Sequence, residues 1–269
     1  MSQAFVMKIG VAGALGRMGL AVIEALEARA AAKGDVQVGA IFDRPGTEGQ
    51  PLGGRVLTSG SEALEVCQAV IDFSLPKASA QLARMSAEGS GAALIIGSTG
   101  FDPMDEAELG RAVSKITVVR SGNFSLGVNM MLGLVRQAAR TLDPEAFDIE
   151  IQEAHHRGKI DAPSGTALML GQAAAAGRNI DLTSRSDRGR DGLTGPRNAG
   201  NIGFSVQRGG GIIGEHSVMF AAEDEILTLS HSARDRSLFA KGAIEAAVWA
   251  VNLGKPGLYD MQDVLGLSD

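Results

Sequence analysis

Apolar residues in the first half of the chain come in two alternating forms. Continuous apolar runs at 5–13, 36–43, 69–74, 92–100 and 116–125 predict buried strands. Between them, 17–29 carries Met18, Val22 and Leu26 at a helical period, and 77–88 and 104–114 also predict helices. Residues 44–54, rich in Gly and Pro, predict a loop. Strands without a polar face, alternating with helices, predict a parallel sheet covered on both sides, with ligand loops beyond the carboxyl ends of its strands.

The pattern changes after residue 125. A long helix is predicted over 125–142, and a strand with one polar face over 147–156. A helix opened by a Ser/Gly/Thr cap is predicted over 164–178, followed by a polar loop over 184–201. Segments 202–208, 212–222 and 225–233 alternate like antiparallel strands, and a final helix over 237–254 precedes a tail. The expected fold class is α/β: a Rossmann-like, doubly wound parallel sheet plus a second α+β domain with an open mixed sheet over 127–236.

Bulk properties narrow the function. At 269 residues, with 45% hydrophobic and 21% charged residues, the chain is an ordinary globular protein of one large or two modest domains. Aromatics are only 4%, so the core must be built of Ala, Val, Ile and Leu. A net charge of -6, without a basic block, argues against nucleic acid as a partner. Cys67 is the single cysteine, so no intrachain disulfide can form, which fits a reducing compartment. The first ten residues lack the charged and apolar regions of a leader, and no run reaches the roughly 18 apolar residues that span a bilayer. These features predict a cytoplasmic protein with no membrane partner.

"GVAGALGRMG" places Gly10, Gly13, Gly16 and Gly19 between the first strand and first helix. Glycines there let the backbone approach a pyrophosphate at a helix N-terminus. From Gly13 the spacing is G-x-x-G-x-x-G rather than G-x-G-x-x-G, and Asp43 follows 24 residues after Gly19. An acid at the end of strand two favours a ribose diol and hence NAD; Arg44 beside it, or Arg17, suits a 2′-phosphate and hence NADP. NADH and NADPH both remain open. "GSTGF" and "SGNFS" end the fourth and fifth strands, where small residues can border a nicotinamide ring or simply form tight turns.

"EAHHRGKIDAPSGTA" (153–167) holds two of the four histidines. On a strand His155 and His156 point to opposite faces, so joint chelation of a metal is not expected. His titrates near neutrality, and Lys159 supplies a movable charge that can hold a carboxylate or donate a proton. Gly165 and Thr166 lie at a helix start, which suits a bound carboxylate. The competing reading is an ordinary strand edge and capped helix with solvated side chains.

These segments, "VAGALGRMG", "GSTGF", "NFSLGVN" and above all "EAHHRGKIDAPSGTA", resemble the 4-hydroxy-tetrahydrodipicolinate (dihydrodipicolinate) reductase family of diaminopimelate and lysine biosynthesis, and the resemblance covers nearly the whole chain. It implies a dinucleotide-binding domain over 1–126, completed by 237–269, and a substrate-binding domain over 127–236 whose sheet builds a homotetramer. It implies NAD(P)H contacts from Gly13, Ala14, Leu15, Gly16, Arg17, Met18, Asp43, Arg44, Gly97, Ser98, Thr99, Ser121, Gly122, Asn123 and Phe124. It further implies His155 and Lys159 as proton donors, with His156, Gly165 and Thr166 holding the carboxylates of a small cyclic imine. The sequence departs from the family at Ser98, where Thr is common, and at "SGNF". Two other readings stand beside this one: an NAD(P)-binding sensor without chemistry, and a semialdehyde dehydrogenase-like enzyme. The latter would need a thiol nucleophile, but "LEVCQAV" around Cys67 looks like packing.

Overall fold

The computed structural model describes residues 6–268. Phe5, where the first predicted strand begins, lies outside the described residues, as do the rest of Met1–Phe5 and Asp269. Among the described residues the chain divides into two compact units. One runs up to Leu126 and resumes at Ser237; the other is Gly127–Arg236.

The first unit opens with β1 (Met7–Ala12), α1 (Arg17–Lys33) and β2 (Val36–Phe42). A two-stranded hairpin, β3 (Pro51–Leu52) with β4 (Arg55–Val56), and a short helix α2 (Gly60–Val66) follow. Then come β5 (Ala69–Asp72), α3 (Pro76–Glu88), β6 (Ala93–Ile96), α4 (Pro103–Ala112) and β7 (Thr117–Arg120). The second unit contributes all but the first residue of α5 (Leu126–Thr141), then β8 (Asp148–His155), α6 (Gly165–Arg178), α7 (Leu182–Arg185) and strands β9 (Ser186–Asp187), β10 (Ile202–Arg208), β11 (Glu215–Ala221) and β12 (Ile226–Ser232). The chain closes with α8 (Ser237–Leu253), β13 (Gly257–Tyr259) and α9 (Met261–Val264).

The first sheet runs β13-β7-β6-β5-β1-β2, and every pair in it is parallel. Its central strands are apolar on both faces because helices cover both. Val22 and Leu26 of α1 and the alanines of α8 pack on one side; α2, α3 and α4 close the other. Leu94, Ile95 and Ile96 of β6 are wholly buried, each contributing roughly 1.5–3 kcal/mol. The strand order reverses between β1 and β5, the switch point at which ligands bind in open α/β sheets.

The second sheet runs β12-β11-β8-β10-β9. The segments expected to be antiparallel are only partly so. β11 is antiparallel to β8 and to β12, but β10 runs parallel to β8 and to β9, so the sheet is mixed. Ile149, Ile151, Ile202, Phe204, Val218 and Phe220 put their side chains into one core with α5 and α6. The predicted loop over 184–201 begins inside α7 and β9, and the predicted tail adds a sixth strand to the first sheet. The predicted loop over 44–54 contains β3 and leads into β4.

Candidate functional site

In the first unit, the turn after β1 is built by its glycines. Gly13 has φ +69°, a left-handed conformation that glycine takes without strain. Gly19, in the first turn of α1, faces that bend so closely that a Cβ would lie 2.1 Å from the Gly13 carbonyl oxygen. Gly16 caps the helix with no side-chain acceptor, and the first turn has no acidic residue. The helix start is thus left with bare N–H groups and its partial positive charge. Ala14 donates its N–H to the Phe42 carbonyl at 3.0 Å, tying the turn to the end of β2. Asp43 is fixed as well: Oδ2 accepts from the Leu15 N–H at 3.0 Å and Oδ1 from the Arg44 N–H at 2.8 Å.

Gly13, Leu15, Gly16, Asp43 and Arg44 line one cavity of about 680 Å³, with Asp72–Leu75 after β5 on another wall. That volume suits a small organic ligand. Close backbone approach, an uncapped helix N-terminus and an anchored carboxylate at the end of β2 fit a dinucleotide. Arg17 and Arg44 are exposed, Met18 is half-buried and Ala14 is buried.

The later turns are organised differently. A Cβ on Gly97 would lie 2.2 Å from the Phe73 ring, so this glycine makes room for a side chain. The Ser98 hydroxyl is buried and bonded to Ser79 at 2.7 Å. Thr99 and Gly122 are exposed. The Ser121 hydroxyl donates to the Asn123 carbonyl and accepts from the Asn123 N–H, and Asn123 Oδ1 accepts from the Ser125 N–H. Phe124 is buried, edge-on to Phe73 at 5.6 Å. None of these seven positions lines the cavity.

In the second unit, β8 ends at His155 and α6 begins at Gly165, capped by Ser164, whose hydroxyl accepts from the Ala167 N–H at 3.1 Å. His155 is buried at the end of the strand, whereas His156 lies past it, half-buried. Lys159 donates its N–H to the His156 carbonyl, and its Nζ pairs with Asp161 at 2.9 Å. Gly165 is exposed and Thr166 half-buried at the helix start.

The sequence reading missed a buried polar cluster under the same segment. His155 Nδ1 lies 2.6 Å from Glu153 Oε2, and the Ser164 N–H donates to Glu153 Oε1 at 2.9 Å. Arg208 places its fork on both Glu153 oxygens at 2.8 and 2.9 Å. His216 Nε2 is 3.0 Å from the Ser164 hydroxyl, and its ring sits 5.2 Å from that of His155. Strand register explains the gathering, because His216 is opposite Glu153 and Arg208 opposite His155. Burial raises the Glu153 carboxyl, but hydrogen bonds from Arg208 and His155 outweigh it and hold the group below the usual carboxylate range. Burial, with His155 nearby, pushes His216 down to about 4. Among the described residues no three His, Cys, Asp or Glu gather as metal ligands. Cys67 is buried with its thiol pushed up to about 11 by desolvation, which is poor provision for a nucleophile.

The comparisons with known proteins agree with one another. The model for "Dihydrodipicolinate reductase, N-terminus" matches residues 7–124, and that for its C-terminus matches 127–265. A 4-hydroxy-tetrahydrodipicolinate reductase of Caulobacter vibrioides is 62% identical over 97% of both chains. One from Dinoroseobacter shibae is 50% identical over 96% of this chain and 98% of its own. Among solved structures, dipicolinate-bound dihydrodipicolinate reductase from Paenisporosarcina sp. TG-14 superposes with a TM-score of 0.73 at 22% identity, over 95% of this chain and 98% of that one. Aspartate semialdehyde dehydrogenase II of Vibrio cholerae shares the fold more loosely, with a TM-score of 0.52 at 13% identity over 92% of this chain and 99% of that one. The chain belongs to the dihydrodipicolinate reductase family.

Proposed function

We propose that the chain reduces 4-hydroxy-tetrahydrodipicolinate to tetrahydrodipicolinate with NAD(P)H, releasing water, in diaminopimelate and lysine biosynthesis. One observation carries the reading beyond family membership. His155, His156 and Lys159 lie between the end of β8 and the start of α6, in a chain whose other unit holds a glycine turn and a cavity fitted to a dinucleotide. The N-terminal turn from Gly13 to Met18 holds the pyrophosphate, and Asp43 with Arg44 meets the ribose end. The backbone at 97–99 and 121–124 completes the cofactor's surroundings.

When bound, the reduced nicotinamide supplies a hydride to C4 of the ring. His156, Gly165 and Thr166 hold the substrate carboxylates, using imidazole, backbone N–H and hydroxyl donors. Lys159 exchanges Asp161 for substrate and donates a proton as charge develops on the conjugated imine. His155 gives or takes a proton through Nε2. The departing hydroxyl takes one donated proton while one ring C–H proton is released, and a second donated proton follows the hydride onto the ring, so each turnover consumes a net one hydride and one proton and releases one water.

The Asp43 carboxylate and the exposed Arg44 stand side by side, which supports use of both NADH and NADPH. Gln152 and Ser205, neighbours on the side of the second sheet away from its core, are exposed. That uncovered side supports a homotetramer, and a biosynthetic enzyme of this kind works in the cytoplasm. The direct test follows absorbance at 340 nm with NADH and with NADPH, adding freshly made condensation product of pyruvate and aspartate semialdehyde. Oxidation dependent on that product is expected with at least one cofactor. Oxidation of neither would remove the proposal, and light scattering would test the tetramer.

A further inference from the structure

We propose that Glu153 is a positioning residue for proton delivery: its carboxylate fixes the His155 imidazole with Nδ1 as the donating nitrogen and couples that ring to the Ser164 turn. The inference rests on the reading of His155 as the proton-transferring group.

Four hydrogen bonds converge on one side chain that is 1% exposed: His155 Nδ1, the Ser164 N–H and both arms of Arg208. A carboxylate offers about four lone-pair sites, and ionised it can only accept. Arg208 donates in any state, so Glu153 stays ionised and Nδ1 must carry the proton of the bond at 2.6 Å. That assignment leaves Nε2 to face substrate. The surroundings agree, because a Cβ on Gly214 would lie 3.2 Å from Nε2. Glycine is the residue that keeps this nitrogen uncrowded.

The other groups around the ring do not compete. His216 on β11 is neutral at working pH and turned toward the Ser164 hydroxyl. Behind it, His231 on β12 is opposite His216 in register. Arg208 on β10 is spent on Glu153, and Lys159 from the loop is paired with Asp161. During turnover the imidazolium releases its Nε2 proton to the substrate and keeps the Nδ1 proton against Glu153. Nε2 then takes a proton from solvent, while Glu153 is unchanged throughout. Because the same carboxylate holds the Ser164 N–H, the acid and the turn that carries Gly165 and Thr166 keep a fixed spacing.

Ring ¹⁵N shifts of histidine-labelled full-length protein, assigned with His155→Gln, test the tautomer in the parent. A protonated Nδ1 and bare Nε2 are expected for neutral His155; the opposite tautomer overturns the proposal. Glu153→Gln should give mixed tautomers and lower kcat by at least tenfold, and by no more than the ~10²–10⁴ that a placed acid contributes. KM for NADPH should stay within about twofold, as expected of a group that acts only on proton transfer. Glu153→Gln/Arg208→Gln leaves no buried charge unpaired and should show the same tautomer mixing with native circular dichroism. Unchanged shifts and unchanged kcat in a folded variant overturn the proposal. Full turnover in His155→Ala would instead sink the acid assignment, while leaving the measured tautomer intact.

Discussion

At the scale of single residues, the proton-donor roles proposed for Lys159 and His155 rest on different surroundings. Lys159 is held by an exposed partner: Asp161 is 55% exposed, and Lys159 itself 21%. Such pairs are worth about 0–1 kcal/mol, so Lys159 is readily freed from Asp161. Lys159→Ala and His155→Ala should each lower turnover by about 10²–10⁴-fold, the range for one proton donor, with cofactor affinity nearly intact. Steady-state kinetics beside an NADH fluorescence titration separates the two effects; loss of cofactor binding with turnover spared contradicts both roles. Asp161→Asn should change stability by less than about 1 kcal/mol in urea denaturation. His155, His156 and Lys159 stood out as candidates because they crowd one short segment of a histidine-poor chain. Glu153 sat in the same segment and went unread. Its meaning comes from Arg208 and His216, which only the register of β8 with β10 and β11 brings to it.

At the scale of elements, the glycine turn is a packing device as well as the proposed dinucleotide cradle. A methyl group on Gly19 would meet backbone, the Gly13 carbonyl at 2.1 Å, which no side-chain adjustment relieves. Gly19→Ala should therefore force the turn and α1 apart, costing about 1–3 kcal/mol and weakening NADH and NADPH alike. Gly16→Ala meets the same oxygen at 3.2 Å and should be milder. Thermal melts with and without NADPH check the ranking; equal effects in the two variants would count against it. Long helices and fully apolar strands were readable because periodicity accumulates over many residues. Shorter pieces were not. α2 has seven residues, too few for a period, although its capping box of Ser59 and Glu62 was a usable signal. β3, β4 and β13 have two or three residues each, and their strand character comes from their partners. The direction of β10 was equally invisible, since alternation reports which face a residue takes and not which way a strand runs.

At the scale of the whole molecule, each unit buries a group that answers acid in the opposite sense from the other's. In Gly127–Arg236, His216 titrates near 4 in the folded state against 6.5 unfolded, because burial disfavours its charge. The unfolded state therefore binds more protons between those values, and stability falls as pH drops from about 6.5 to about 4. The full shift corresponds to about 3 kcal/mol. His231 adds a change of the same sign, again from burial. In the other unit, Asp72 is buried with Oδ2 unpartnered, and burial raises its carboxyl above the ordinary value of 3.8. There the folded state holds the extra proton, so that contribution is lost as pH rises and regained as it falls. The chain supplies a clean reporter, because its one Trp and one Tyr, Trp249 and Tyr259, both belong to this unit. Urea unfolding at pH 7.5 and 5 should show a circular-dichroism midpoint that drops more than the Trp249 fluorescence midpoint. In His216→Gln the gap between the probes at pH 5 should narrow. Coincident midpoints at both pH values would show that the units unfold as one, and that neither titration acts on its own unit alone.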